Sequence, residues 1–108
     1  MTQFPVSNII ADVIEITGFN YDQIIGFARL PHLVRVRDAI AWVAREAHGR
    51  TWSEIGEVIG GRDHKTISSA HARAVTRRAT EYDFLVLTDK LLSAAKKRAS
   101  AAFERTWS

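Results

Sequence analysis

Residues 51–66 read TWSEIGEVIGGRDHKT, and this stretch decides the fold. Thr51 followed three residues later by Glu54 forms a capping box, in which a hydroxyl and a carboxylate each accept a hydrogen bond from an otherwise unpaired backbone amide. A helix therefore starts here. It has to be short, because Gly60 and Gly61 follow, and glycine enters left-handed turn conformations without steric cost.

Asp63 predicts the start of another helix directly after the glycine turn, and we expect that helix to run to about Thr80. A short helix, a tight turn and a longer helix with a polar outer face are the parts of a helix-turn-helix, in which the start of the second helix faces the base edges. The residues there supply donors and acceptors of several lengths: Arg62, Asp63, His64, Lys65 and Thr66. The plainer alternative is that Asp63 is only a helix cap and its neighbours are ordinary surface.

Towards the amino terminus, apolar residues recur every three or four positions, which predicts two further helices. Ser7 can cap the first, which ends at Gly18, and Asn20 can cap a short second helix over residues 21–25 that breaks at Gly26. The expected apolar face of the first helix consists of Ile9, Ile10, Val13, Ile14 and Ile16.

A long third helix is predicted from Pro31 or the next residue to Gly49, after a loop over residues 27–32. Its expected inner face consists of Leu33, Val36, Ile40, Val43, Ala44 and Ala47.

Downstream of the glycine turn, the pattern predicts one further helix, capped by Asp83 and running from Phe84 through Lys97. In the helix that starts after Asp63, the side chains expected to face inward are Ile67, Ala70, Ala74 and Val75. Those expected to face outward are Lys65, Ser68, Ser69, Arg73 and Arg77. No segment reads as a strand, so we predict an all-α fold of about six helices. We expect one domain over residues 1–98 and an extension over residues 99–108.

Charge is distributed unevenly along the 108 residues, although the net charge is only +3. The first 28 residues contain no Lys or Arg, whereas residues 29–78 contain ten against five Asp or Glu. A basic middle section suits a surface that faces phosphates. The absence of cysteine excludes disulfides and thiolate metal sites, and no apolar run reaches the length of a membrane span. We expect a cytoplasmic protein without metal, cofactor or membrane contact.

Residues 52–67, WSEIGEVIGGRDHKTI, resemble the signature of the carboxy-terminal DNA-binding domain of the bacterial replication initiator DnaA. The similarity covers roughly residues 8–95. It includes an opening helix, a loop before a long helix, and a basic pair within Val34-Arg35-Val36-Arg37-Asp38. Gly-Gly-Arg-Asp-His followed by Thr one residue later is far more selective than a general helix-turn-helix pattern. The resemblance implies a helix-turn-helix of the DnaA and Trp-repressor-like type, present here as a stand-alone module.

The resemblance also implies roles for individual residues. Arg35 would reach into the minor groove, where a long guanidinium suits narrow A·T-rich DNA, while the recognition helix enters the adjacent major groove. Asp63, His64 and Thr66 would contact base edges or thymine methyls, and Arg62 would grip a phosphate. The full set of expected DNA contacts is Arg35, Arg37, Thr51, Trp52, Ser53, Arg62, Asp63, His64, Lys65, Thr66, Ser69 and Arg73. For Arg37, Arg45, Arg50, Arg73 and Arg77, a solvated arginine is an equal alternative.

The sequence also departs from the family pattern. Lys65 stands where the family usually has a base-contacting threonine, which predicts a guanine-containing variant of the initiator's binding box. The loop over residues 27–32 carries one formal charge where the family is more basic, which predicts weaker non-specific binding. Trp52 either contacts a thymine methyl or packs internally. The phosphate-binding motif Gly-x-x-x-x-Gly-Lys-[Ser/Thr] does not occur, so we expect no nucleotide binding.

The expected function is sequence-specific binding of double-stranded DNA at DnaA-box-like sites, on the nucleoid. Such occupancy serves either transcription regulation or modulation of DNA replication initiation, and the sequence leaves both roles open. An enzyme is disfavoured, because His64 and His71 lie seven residues apart and lack a third ligand. A protein-interaction adaptor remains the alternative, in which surplus apolar residues near the carboxyl terminus form a homodimer or recruit a protein partner: Phe84, Leu85, Leu87, Leu91, Leu92, Phe103 and Trp107.

Overall fold

The computed structural model describes the backbone of residues 6–107 and the side chains of the same range except 99, 100 and 102–107. Within that range it confirms an all-α fold without strands. The six helices are α1 (Val6–Thr17), α2 (Tyr21–Ile25), α3 (Pro31–His48), α4 (Trp52–Val58), α5 (His64–Thr80) and α6 (Tyr82–Trp107).

Helix α3 is the centre of the molecule and packs against every other helix. Its middle part, residues 36–44, is buried on all sides, unlike the one-sided face that the sequence pattern predicts. Small residues such as Ala39 and Ala41 make this possible, because they let neighbouring helices approach closely on two flanks. The predicted inner residues of α3 are nevertheless buried, apart from Ala47, which is partly buried against the core.

The predicted caps of α2 and α4 are confirmed. The Asn20 side chain accepts a hydrogen bond from the amide of Gln23, whose own side chain bonds back to Asn20. Thr51 and Glu54 form the second capping box, with distances of 3.1 and 2.9 Å. Each such pair satisfies two backbone amides that the helix itself leaves free. The helix starts at residues 21 and 52 follow from these local bonds.

Helix α1 differs in two ways from the prediction. It begins at Val6, so Ser7 lies within the first turn and is not the residue before it. Ile16 is 44% exposed and not part of the inner face. The buried stripe runs through Val6, Ile9, Ile10 and Val13, and Ile16 falls outside it at the end of the helix.

Helix α6 is longer than predicted at both ends. It begins at Tyr82, which places Asp83 in the first turn, and it continues without a break past residue 98 to Trp107. The continuation has a physical basis, because residues 99–107 contain neither Gly nor Pro and include several good helix formers.

The apolar face of α6 packs onto the core of the same chain. Phe84, Leu91 and Ala95 are buried, and Leu87 and Leu92 pack against the core while partly exposed. Arg98 holds the far part of the helix to α1 through two bonds to the Asp12 carboxylate, at 3.0 and 2.8 Å. The side chains of Phe103 and Trp107 lie outside the described residues. No helix in the described part of the chain is long and apolar enough to span a membrane.

Candidate DNA interface

The turn between α4 and α5 is built by two glycines with positive φ angles, 72° at Gly60 and 75° at Gly61. Gly60 also lies against the end of α2, where an added Cβ would approach the carbonyl oxygen of Ile25 to 2.1 Å. The amide of Arg62 donates to the carbonyl of Gly56 at 2.9 Å and closes the turn. The predicted glycine turn is therefore present, and it is packed against α2.

The start of α5 presents its polar side chains to solvent. Asp63, His64, Lys65 and Thr66 are all exposed, and the Asp63 carboxylate accepts a hydrogen bond from the Thr66 amide at 2.8 Å. The backbone amide of Thr66 is the main reason that the pKa of Asp63 lies below its ordinary value. We call residues 63–66 the recognition tip. Its four side chains are accessible to solvent, and Ser69 is exposed one turn further along α5.

The Arg62 side chain forms hydrogen bonds within the protein that its sequence position does not predict. Its guanidinium donates to the carbonyl oxygens of Ile25, Gly26 and Ile59, with 3.2 Å to Ile25. Burial, and then the positive charge of Arg29, lower the pKa of Arg62. The side chain joins the glycine turn to the end of α2, so most of its donors are not directed at a phosphate.

Arg37 is turned into the molecule and is only 8% exposed. Its guanidinium donates to four carbonyl oxygens in the segment that leads out of α2: those of Gln23 (2.8 Å), Ile24 (2.7 Å), Gly26 (3.1 Å) and Ala28 (2.7 Å). Burial is the largest reason for its lowered pKa, followed by repulsion from Arg62 and Arg29. Of the two alternatives for Arg37, phosphate anchor or solvated arginine, the structure matches neither: the residue shapes the loop before α3.

The structure does not bring Arg35 together with the recognition tip. The Arg35 guanidinium lies 3.1 Å from Glu81 and 2.8 Å from Asp83, and it stacks over the Phe84 ring at 5.2 Å. These partners lie where α5 ends and α6 begins. At 1.5 Å per residue, the two ends of α5 are about 24 Å apart. Two carboxylates therefore hold Arg35 at the end of α5 that is remote from His64.

Arg29 lies on the same surface and is not among the DNA contacts expected from the sequence. It is exposed in the loop after α2, and it forms no hydrogen bond or ion pair with any residue that the structure describes. Arg37 and Arg62 donate to the carbonyl oxygens of Ala28 and Gly26, which lie just before Arg29 in the chain. The sequence did contain a signal, because Arg29 is the single Lys or Arg within residues 27–32.

Asp38 forms an ionic cluster with two arginines of α5, Arg73 and Arg77, in which the carboxylate is buried and the guanidinium groups are not. The Asp38 carboxylate is fully buried and accepts from Arg73 at 3.1 and 3.0 Å and from Arg77 at 3.3 Å. Burial raises the pKa of Asp38, and the two guanidinium groups oppose that shift. Both arginines were expected on the outer face of α5. Both contact Asp38 of α3, but Arg73 remains exposed to solvent, whereas Arg77 is partly buried. Val75, expected to face inward, is 51% exposed because it lies outside the stripe formed by Ile67, Ala70 and Ala74.

The cap of α4 lies beside this surface. Thr51 and Ser53 are exposed, whereas Trp52 is half-buried between the Arg45 guanidinium, 4.2 Å from its ring, and the His71 ring at 5.2 Å. Of the two roles considered for Trp52, the structure shows the packing one. Hydrogen bonds from Thr51 lower the pKa of Glu54 and stabilise this helix start.

A cleft of about 530 Å³ separates the loop after α2 from the first turns of α5. Phe27 and Arg29 line the loop side, and Thr66, Ala70 and Arg73 line the side of α5. No group of three or more His, Cys, Asp or Glu residues in the described part of the chain is arranged to hold a metal ion.

Comparison with known proteins agrees with this geometry. Residues 6–74 match the family described as "Bacterial dnaA protein helix-turn-helix". The chain is also 32% identical over 71 residues to proteins named "Chromosomal replication initiator protein DnaA" from Streptococcus pyogenes serotype M5 (strain Manfredo) and from serotype M1. Each match spans 66% of this chain and 16% of the relative. No solved structure matches. The chain belongs to the bacterial DnaA helix-turn-helix family, and is a DNA-binding, non-catalytic module.

Proposed function

We propose that the chain binds double-stranded DNA sequence-specifically, at sites that resemble the binding box of the DnaA initiator. The observation that carries this proposal is the juxtaposition of two exposed elements. The recognition tip lies at the start of a rigidly capped helix, and Arg29 lies in a loop that Arg62 ties to the same turn. Both elements are directed at solvent, so DNA can reach them without rearrangement of the fold.

In this proposal the recognition tip enters the major groove. His64, Lys65 and Thr66 offer an imidazole, an ammonium and a hydroxyl group at different reaches, and the capping carboxylate of Asp63 is exposed beside them. Ser69 lies one turn further along the same helix. The exposed hydroxyls of Thr51 and Ser53 at the start of α4 bind phosphates that flank the groove.

Arg29 takes the minor-groove role that the sequence suggested for Arg35. Its guanidinium has no partner among the described residues, whereas that of Arg35 is held by two carboxylates. A cation without an internal partner loses no ion pair when it enters the negative potential of a narrow minor groove. Arg29 and Thr66 of the recognition tip line the same cleft, and this arrangement allows contacts in two adjacent grooves.

Occupancy of such sites regulates transcription at a promoter or modulates replication initiation at an origin, and it places the protein on the nucleoid of the cytoplasm. The adaptor alternative has less support, since α6 uses its apolar face in its own core.

The test is selection of duplexes from a randomised library by the purified chain, followed by footprinting on the enriched sequence. We expect an enriched motif with protected positions in one major groove and the adjacent minor groove. Recovery of no motif, with equal retention of all duplexes, would reject sequence-specific binding. Mapping of bound loci in cells would then show whether promoters or an origin are occupied.

A further inference from the structure

The cleft beside the recognition tip combines apolar surface with positive charge. Phe27, Val34 and Ala70 contribute apolar lining, and Arg29 and Arg73 stand on opposite sides. A DNA strand has the complementary composition, since apolar deoxyribose rings alternate with phosphates along its backbone.

Phe27 is 86% exposed, the most exposed of the large apolar side chains that the structure describes. Its position is fixed, because Arg37 bonds to the carbonyl oxygens of the residues on both sides, Gly26 and Ala28. The ring is therefore exposed to solvent although the backbone that carries it is fixed by hydrogen bonds. An aromatic ring gains free energy when it leaves water, so this placement favours a partner that covers it.

Charge identifies the kind of partner. Four arginines line the cleft: Arg29, Arg37, Arg62 and Arg73. Burial is the largest cause of the lowered pKa of Arg37 and of Arg62, and repulsion from Arg29 adds to it in both cases. Asp38 is the one carboxylate among the described lining residues, and it is already bound to Arg73 and Arg77. The cleft thus has an excess of positive charge, which an anion would relieve.

We propose that this cleft holds one sugar-phosphate strand of the duplex, with the Phe27 ring packed against its deoxyribose rings, Arg73 beside its phosphates and Arg29 reaching past the strand into the minor groove. The inference rests on the proposed function. Adjacent major and minor grooves are separated by a single backbone strand. If the recognition tip occupies one groove and Arg29 the other, that strand passes between them, which is where the cleft lies.

The experiment compares Phe27→Ala with Arg29→Ala in fluorescence anisotropy, on the duplex enriched by the unaltered protein and over a series of salt concentrations. Phe27→Ala should weaken binding about tenfold, as expected for loss of a buried aromatic contact, without changing the salt dependence. Arg29→Ala should weaken binding and also lower the slope of log K against log salt by about 0.9, because a contact with DNA charge is lost.

Tyr82→Ala is the matched control. Tyr82 is 79% exposed, and it lies at the start of α6, beyond the end of α5 that is remote from the recognition tip. Its removal should leave affinity unchanged, and Phe27→Leu should keep most of the affinity because an apolar side chain remains. Thermal melts of all variants check that folding is unaffected.

Binding of Phe27→Ala within twofold of the unaltered protein at every salt concentration would overturn the inference and leave the proposed function intact. An equal loss in Tyr82→Ala would also overturn it, since the effect would not be specific to the cleft. If the unaltered protein enriches no duplex, the proposed function fails first and this inference fails with it.

Discussion

The Nη1 atom of Arg62 lies 3.2 Å from the carbonyl oxygen of Ile25, a residue 37 positions earlier in the chain. This contact joins the turn of the helix-turn-helix to the end of α2. Because the loop with Arg29 begins just after α2, the turn and that loop hold fixed positions relative to each other.

Replacement of Arg62 by alanine should lower the free energy of unfolding by about 1–3 kcal/mol, because carbonyl groups of Ile25, Gly26 and Ile59 lose a charged donor. Urea denaturation followed by circular dichroism measures this change. Unchanged stability together with weaker DNA binding would instead mean that Arg62 is chiefly a phosphate contact.

The two turn glycines should differ in their tolerance of alanine. Gly61→Ala incurs only the cost of a positive φ, about 1 kcal/mol, because no atom lies within 4 Å of the added Cβ. Gly60→Ala has the same backbone cost and also places the Cβ 2.1 Å from the carbonyl oxygen of Ile25. We expect it to cost at least about 2 kcal/mol more, from strain and overpacking. Equal unfolding midpoints for the two variants would contradict the observed packing.

Arg29→Ala and His64→Ala should each weaken specific binding by about 1–3 kcal/mol per lost base contact. Arg35→Ala is the informative comparison, since its guanidinium is held by Glu81 and Asp83. We expect it to change affinity much less than Arg29→Ala. Anisotropy titrations with one enriched duplex measure all three, and a larger loss for Arg35→Ala would return the minor-groove role to Arg35.

Lys65→Thr should change the preferred duplex and not merely the affinity. Lys65 is exposed within the recognition tip, and lysine donates to the acceptors of guanine in the major groove, whereas threonine favours a thymine methyl. Library selection with both proteins should therefore recover motifs that differ at one or two adjacent positions. Identical motifs would place Lys65 against a phosphate.

Asp63→Asn tests how the stability contributed by the cap of α5 depends on pH. Hydrogen bonds in the folded state lower the pKa of Asp63, so its stabilisation is present above the unfolded pKa and lost as pH falls through the folded one. Asparagine keeps the cap but does not titrate. The variant should match the original at pH 7 and lose less stability below about pH 4. Parallel acid titrations for the two proteins would contradict this assignment.

The features that sequence reasoning predicted well depend on residues close together in the chain. The caps at Asn20, Thr51 and Asp63 each need a partner three residues away, so their patterns are visible without a fold. The partners of Arg35 and Arg37 were not predictable in this way. Glu81 lies 46 positions from Arg35, and the two meet only because α3 packs along α5.

The same distinction explains why the sequence analysis did not single out Arg29 and Phe27. Each is an ordinary loop residue in the sequence, and its position is fixed by hydrogen bonds that Arg37 and Arg62 form to the neighbouring backbone. The ends of α6 were missed for a different reason, because one capping pattern does not fix a helix boundary. Asp83, the expected cap, lies within the first turn of α6.

The bracing of the loop by Arg37 and Arg62 also has a kinetic consequence. A surface that is already ordered before encounter loses little conformational entropy on docking, so association needs no slow folding step. Its on-rate is then set by diffusion and charge, which differ little between one duplex and another. Discrimination among sequences is expressed mainly in the residence time of each complex.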